Sequence, residues 1–166
     1  VGLLGPNGAG KTTTFRMTVG MIRPDEGSVS LGGDDVTALP MHQRARLGIG
    51  YLAQEPSIFR HLSVQDNLRL VMEQTDVPAH LHQAKLTTLL QEFRLETVAK
   101  TQGNLVSGGE RRRTELARAL AAGEAGPRFL FLDEPFAGVD PIAVTEIQDM
   151  VTQLRDRDIG ILITDH

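Results

Sequence analysis

Gly5-Pro6-Asn7-Gly8-Ala9-Gly10-Lys11-Thr12 fits the pattern G-x-x-x-x-G-K-[ST], and the chain around it reads as that pattern requires. A short apolar stretch, Val1 to Leu4, precedes it as a strand, and a helix-like run, Lys11 to Met21, follows. Small residues at Gly5, Gly8 and Gly10 let the backbone wrap a triphosphate, so that successive N–H groups and the positive end of the next helix face anionic oxygens. Lys11 then reaches the β- and γ-phosphates, the Thr12 hydroxyl helps hold Mg²⁺, and Thr13 adds a second hydroxyl in the first helical turn. A glycine-rich turn capping a helix is the plainer reading, and the strand and helix on either side argue against it.

The 166 residues suffice for one substantial core. With 17 Lys+Arg against 21 Asp+Glu, the balance is mildly acidic and speaks against nucleic acid as a direct partner, although it leaves room for a local basic patch. No apolar run approaches a bilayer span and no signal peptide is legible, which predicts a cytoplasmic location. The absence of Cys removes thiol catalysis, disulfides and Cys-based metal sites. Val1 begins inside a strand and His166 follows another, Ile159 to Thr164, so a domain truncated at both ends is expected.

Downstream of the loop, Pro24 to Gly27 reads as a turn and Ser28 to Leu31 as a short strand closed by Gly32-Gly33. A helical turn over Pro40 to Leu47 and a strand over Ile49 to Ala53 lead to Gln54, a solvated loop residue unless the strand end belongs to a site. From Leu62 the texture turns helical. Ser63 with Asp66 starts a capped helix whose Val64, Leu68, Val71 and Met72 recur on one face, and Leu86, Leu89, Leu90 and Phe93 repeat the pattern after Pro78. These stripes are core.

Ser107-Gly108-Gly109-Glu110 opens a further helix-like run, Arg111 to Ala122. It reads either as a simple cap and turn or as a second anion-binding helix N-terminus. In the second case it must reach a nucleotide on another copy, because the sheet already occupies that side of the first. Phe129 to Leu132 is an apolar run fit for a fully buried strand, ending in Asp133-Glu134. Two carboxylates there are costly to desolvate unless a metal, water or partner compensates. Beside a phosphate loop, Asp133 is the expected Mg²⁺ ligand and Glu134 the group that polarises the attacking water. Asp140 closes a tight loop, Pro141 starts a helix with a stripe of Val144, Ile147, Val151 and Leu154, and His166 ends a strand expected to run parallel to Phe129–Leu132. The expected fold is therefore α/β, a P-loop NTPase (RecA-like) core over 1–61 and 127–166 with an inserted α-helical subdomain over 62–126.

The phosphate loop, Gln54, Ser107 to Glu110, Asp133-Glu134, Ala137 to Asp140 and His166 occur in the order and approximate spacing of an ABC-type ATPase cassette, and the resemblance spans essentially the whole chain. It implies an ATPase working as a homodimer, with two ATP molecules sandwiched between the phosphate loop of one copy and Ser107-Gly108-Gly109 of the other. It further implies Glu134 as general base, His166 as the residue contacting the γ-phosphate, Gln54 as the link from Mg²⁺ and water to partner movement, and Asp140 as the residue communicating across the dimer. Val106 stands where the family usually has Leu, and the family's adenine-stacking aromatic lies upstream of the phosphate loop. Within the family, residues 52–67 with Phe59 and Arg60, Ser107 to Arg113, 133–144 and 162–166 resemble the ATPases of bacterial lipopolysaccharide export. Branched-chain amino-acid importer ATPases share parts of these stretches. The resemblance implies integral membrane subunits as partners, a peripheral place on the cytoplasmic face of the inner membrane, and a cargo this chain does not touch. Phe59 as apolar contact and Arg60 as polar contact are the expected partner residues. A soluble ABC protein acting on DNA or ribosomes would need longer coiled-coil insertions, and a non-hydrolysing nucleotide module would lack the Glu134–His166 pair.

Overall fold

The computed structural model describes residues 1–165. Strand β1, Gly2–Leu4, runs into the phosphate loop, and helix α1, Lys11–Val19, leaves it. The helix stops two residues earlier than its pattern predicts because Gly20, at φ 85°, turns left-handed and donates to Met17 O. The expected strand at Ser28 to Leu31 is instead a two-residue hairpin, β2, Ser30–Leu31, against β3, Asp34–Asp35. Gly32 and Gly33 both take positive φ, the backbone that a tight two-residue turn needs. Helix α2, Met41–Arg46, and strand β4, Ile49–Leu52, follow as read.

The helical segment holds α3, Val64–Gln74, α4, His82–Glu92, and α5, Gly108–Ala121, joined by short 3₁₀ turns. Ser63 caps α3 by accepting from Asp66 N, as its sequence suggests. Strand β5, Phe129–Asp133, helix α6, Pro141–Arg155, and strand β6, Gly160–Asp165, complete the chain. On α6 the buried stripe is Ala143, Ile147, Met150, Val151 and Leu154; Val144 of the expected stripe is only partly buried, one position off the face.

The main sheet has four strands in the order β1-β6-β5-β4, all parallel. Parallel pairing puts every carboxyl end at one edge, where α/β folds bind ligands. The register aligns Leu4 with Asp165 and Asp133 with Thr164, so the phosphate loop, Gln54 and Glu134 all emerge there.

Alternation along β5 divides the core. Leu130 and Leu132 face a large cluster with Leu52, Leu68 and Met72 of α3, Leu116 of α5 and Ile147 of α6. Phe131 faces Phe15, Val19 and Ile49, with the two phenyl rings edge to face at 5.2 Å. The helical segment and the sheet thus share one continuous apolar core.

Candidate active site

The phosphate loop is shaped by Gly8 and Gly10, at φ 81° and 85°, conformations that L side chains rarely adopt. Lys11 is buried, and its ammonium donates to Gly5 O at 2.6 Å and Pro6 O at 3.2 Å, which holds the cation over the loop. The first turn of α1 has no acidic residue to offset its positive end. Residues 7–13, Gln54 and Glu134 enclose a cavity of about 400 Å³. A second cavity, of about 330 Å³, lies between α4 and the amino end of β6, with Lys85, Leu89 and Ile159 in its wall, and includes none of these residues.

Asp133 is completely buried at the end of β5, and its carboxylate is held by hydroxyls from three elements. Thr12 of α1 donates to Oδ1 at 3.1 Å, Thr164 of β6 donates to Oδ1 at 2.6 Å, and Tyr51 of β4 donates to Oδ2 at 3.3 Å. Burial, and then the charge of Asp133, push the Tyr51 phenol up, so it stays a donor. Neither Tyr51 nor Thr164 is a residue the motifs single out; their signal is positional, since each lies on a strand neighbouring β5.

The next residue, Glu134, takes φ 44°, a left-handed turn that re-aims its side chain, and its Oε2 accepts from Gln54 Nε2 at 2.8 Å. Gln54 and Glu134, 80 positions apart in the chain, therefore meet on the wall of the cavity opposite Lys11. Thr12, Gln54 and Asp133 present oxygen donors suited to a hard cation such as Mg²⁺. Among the described residues no group of three His, Cys, Asp or Glu could by itself hold a metal ion. His166 lies outside the described residues.

Behind the carboxylates sits a buried guanidinium that sequence reasoning missed. Arg112 of α5 donates to Pro135 O at 2.9 Å, to Ala53 O at 2.8 Å, and to the carbonyls of Asp133 and Glu134 at 3.4 and 3.3 Å. It also pairs with Glu115 at 3.1 Å, and Glu115 accepts from Ser57 N at 2.7 Å and Ile58 N at 3.3 Å. One helix thereby fastens the segment after β5 to the segment after β4. The signal in the sequence is two opposite charges three positions apart inside an otherwise apolar helical face.

Ser107 and Glu110 form a full capping box: Ser107 Oγ accepts from Glu110 N at 3.2 Å and Glu110 Oε2 accepts from Ser107 N at 2.8 Å. Neither they nor Gly108 and Gly109 line the phosphate-loop cavity. Gly109 is required by close approach, since a β-carbon there would meet Ala143 Cβ at 2.8 Å. Asp140 caps α6, its Oδ1 accepting from Ile142 N and Ala143 N. Phe59 is 47% exposed, with Arg118 stacked 4.7 Å above its ring, while Asn67 pairs with both its N–H and its carbonyl. Arg60 beside it is exposed.

The ABC transporter family model matches residues 1–137. The chain belongs to the ABC transporter family of ATP-binding cassettes. As such it is an ATP-hydrolysing transporter subunit with a P-loop NTPase fold. The cassette is 57% identical over its whole length to the lipopolysaccharide export system ATP-binding protein LptB of Acidithiobacillus ferridurans, spanning 68% of that protein. Its identity to the LptB of Escherichia coli strain K12 is 54%, again over the full chain and 68% of the relative. Among solved structures it is similar to the ADP conformation of MJ1267, an ATP-binding cassette of an ABC transporter, with TM-score 0.84 and 26% identity over 100% of this chain and 70% of that one.

Proposed function

We propose that the cassette powers lipopolysaccharide export from the bacterial inner membrane, as a homodimer that closes on two ATP molecules against integral membrane subunits. The observation that carries this reading is 54–57% identity, over the full chain, to proteins named as ATP-binding proteins of lipopolysaccharide export. No described helix is long and apolar enough to cross a membrane. In this reading the cassette sits peripherally on the cytoplasmic face, its membrane subunits handle the cargo, and it need not touch the cargo itself.

The loop amides of Asn7 to Gly10, with Gly5 and Pro6 shaping the turn, and Lys11, Thr12 and Thr13 take the triphosphate. Thr12, Gln54 and Asp133 would hold Mg²⁺, which would supply charge compensation for the triphosphate. Glu134 takes the proton of the attacking water as its oxygen bonds to the γ-phosphorus and ADP departs, and His166 contacts the γ-phosphate. Ser107, Gly108 and Gly109, with Glu110 bracing their turn, face the nucleotide of the other copy, and Asp140 lies on the same dimer face. The remoteness of this capping box from the cavity on its own chain supports that assignment.

Mild-detergent isolation of the intact protein from its native membranes, followed by mass spectrometry, tests the reading. Two membrane proteins accompanied by lipopolysaccharide are the expected result. Recovery of a permease with a periplasmic amino-acid-binding protein would move the cassette to the branched-chain importer branch and leave its chemistry intact.

Phe59 and Arg60 form the contact for a short cytosolic helix of a membrane subunit. The backbone of Phe59 is pinned by Asn67 independently of the ring, so truncating the ring leaves the loop in place. Phe59→Ala is expected to abolish stimulation by the membrane subunits while basal ATP hydrolysis stays within about twofold of the parent. Equal loss of both activities would assign Phe59 to folding.

A further inference from the structure

We propose that Thr164 is the positioning residue of the carboxylate pair: its one hydroxyl sets the rotamer of Asp133 and holds Glu134 in its left-handed turn. The inference rests on the reading of Asp133 as cation ligand and Glu134 as base. Thr164 is fully buried, and its Oγ1 lies 2.6 Å from Asp133 Oδ1 and 3.0 Å from Glu134 N. The direction of both bonds is settled by chemistry. An ionised carboxylate only accepts and a backbone N–H only donates, so the hydroxyl proton goes to Asp133 and an oxygen lone pair receives Glu134 N–H.

The two bonds do different work. The one to Asp133 is charge-assisted and short, and it comes from the directly opposed residue on the neighbouring strand. Thr164 is β-branched and stiff about its first side-chain torsion, so the oxygen it presents is a fixed one. The bond from Glu134 N closes a backbone conformation that a non-glycine residue keeps only when its surroundings hold it. With its hydroxyl engaged by Asp133 and by Glu134 N, Thr164 acts through these two neighbours and not on the reacting atoms. Tyr51 donates to the opposite carboxylate oxygen, at the longer distance of 3.3 Å.

The test compares Thr164→Val, which keeps the shape and loses the hydroxyl, with Thr164→Ser, which keeps the hydroxyl, in the intact protein. Mn²⁺ binding with a non-hydrolysable ATP analogue is read by electron paramagnetic resonance, alongside kcat, KM and melting temperature. For the Val variant, Mn²⁺ affinity and kcat are each expected to fall about tenfold or more, with KM for ATP within about twofold, and the Ser variant is expected to restore both. A Val variant matching the parent in Mn²⁺ affinity and kcat overturns the proposal. So does a Ser variant as defective as Val with a lowered melting temperature, which would make the methyl group the part that matters. Asp133→Asn separates the two levels: unchanged Mn²⁺ binding there removes the reading on which the proposal rests, whereas lost binding beside a parent-like Val variant removes Thr164 alone.

Discussion

Glu134→Gln is expected to lower ATP turnover by about 10²- to 10⁴-fold while ATP binding and ATP-dependent dimerisation persist, because the general-base role proposed for Glu134 contributes on that order and the amide cannot take a proton. The substitution keeps the length of the side chain and a polar group within reach of Gln54, now 2.8 Å from the carboxylate. It leaves the left-handed turn untouched, since the backbone bond from Glu134 N to Thr164 does not involve the side chain. Steady-state hydrolysis and light scattering with ATP and Mg²⁺ measure the two halves of this expectation. Unchanged hydrolysis would remove Glu134 from its assigned role; loss of the dimer as well would show that the carboxylate shapes the site before it acts.

Arg112→Ala carries the largest expected cost in stability. Both Arg112 and Glu115 are buried, and removing the guanidinium leaves the Glu115 carboxylate without its paired donor and the carbonyls of Ala53 and Pro135 without theirs. Breaking a buried pair from one side costs about 3–5 kcal/mol, which for a chain of this size lowers the melting temperature by about 6–20 °C. A thermal melt of the intact protein checks the figure, and a loss below about 1 kcal/mol would mean that water or neighbouring groups take over the contacts. The same substitution removes the guanidinium that ties Ala53, next to Gln54, to Pro135, next to Glu134, so hydrolysis is expected to fall further than the loss of folded protein explains.

The site was legible where chemistry is written in short motifs. Gly5 to Thr12 announces a phosphate loop by spacing alone, and Asp133-Glu134 after an apolar run places carboxylates at a strand end before any coordinates exist. The expectation that the last strand runs parallel to Phe129–Leu132 agrees with the parallel pairing of β5 with β6. What stayed hidden depends on strand order and on side-chain direction. Tyr51, Thr164 and Arg112 read as ordinary strand or helix residues, and only the register of β4 and β6 on either side of β5 turns the two hydroxyls toward Asp133. The hairpin at Ser30–Asp35 was half seen, because Gly32-Gly33 marks the turn while a two-residue return strand is too short to show a period. On α6 the expected Ile147, Val151 and Leu154 are buried, and only the first position of the stripe differs, since Ala143 is too small to stand out as apolar beside Val144.

The Arg118–Phe59 stack and the Asn67 clasp sit on α5 and α3, whose inner faces lie in the same packed body as Leu52 and Leu132. Segments bound into one cooperative unit open together or not at all. A force applied at the Phe59 surface would therefore reach Leu52 and Leu132 through packed side chains, and these are the strand residues that lead directly to Gln54 and to Asp133-Glu134.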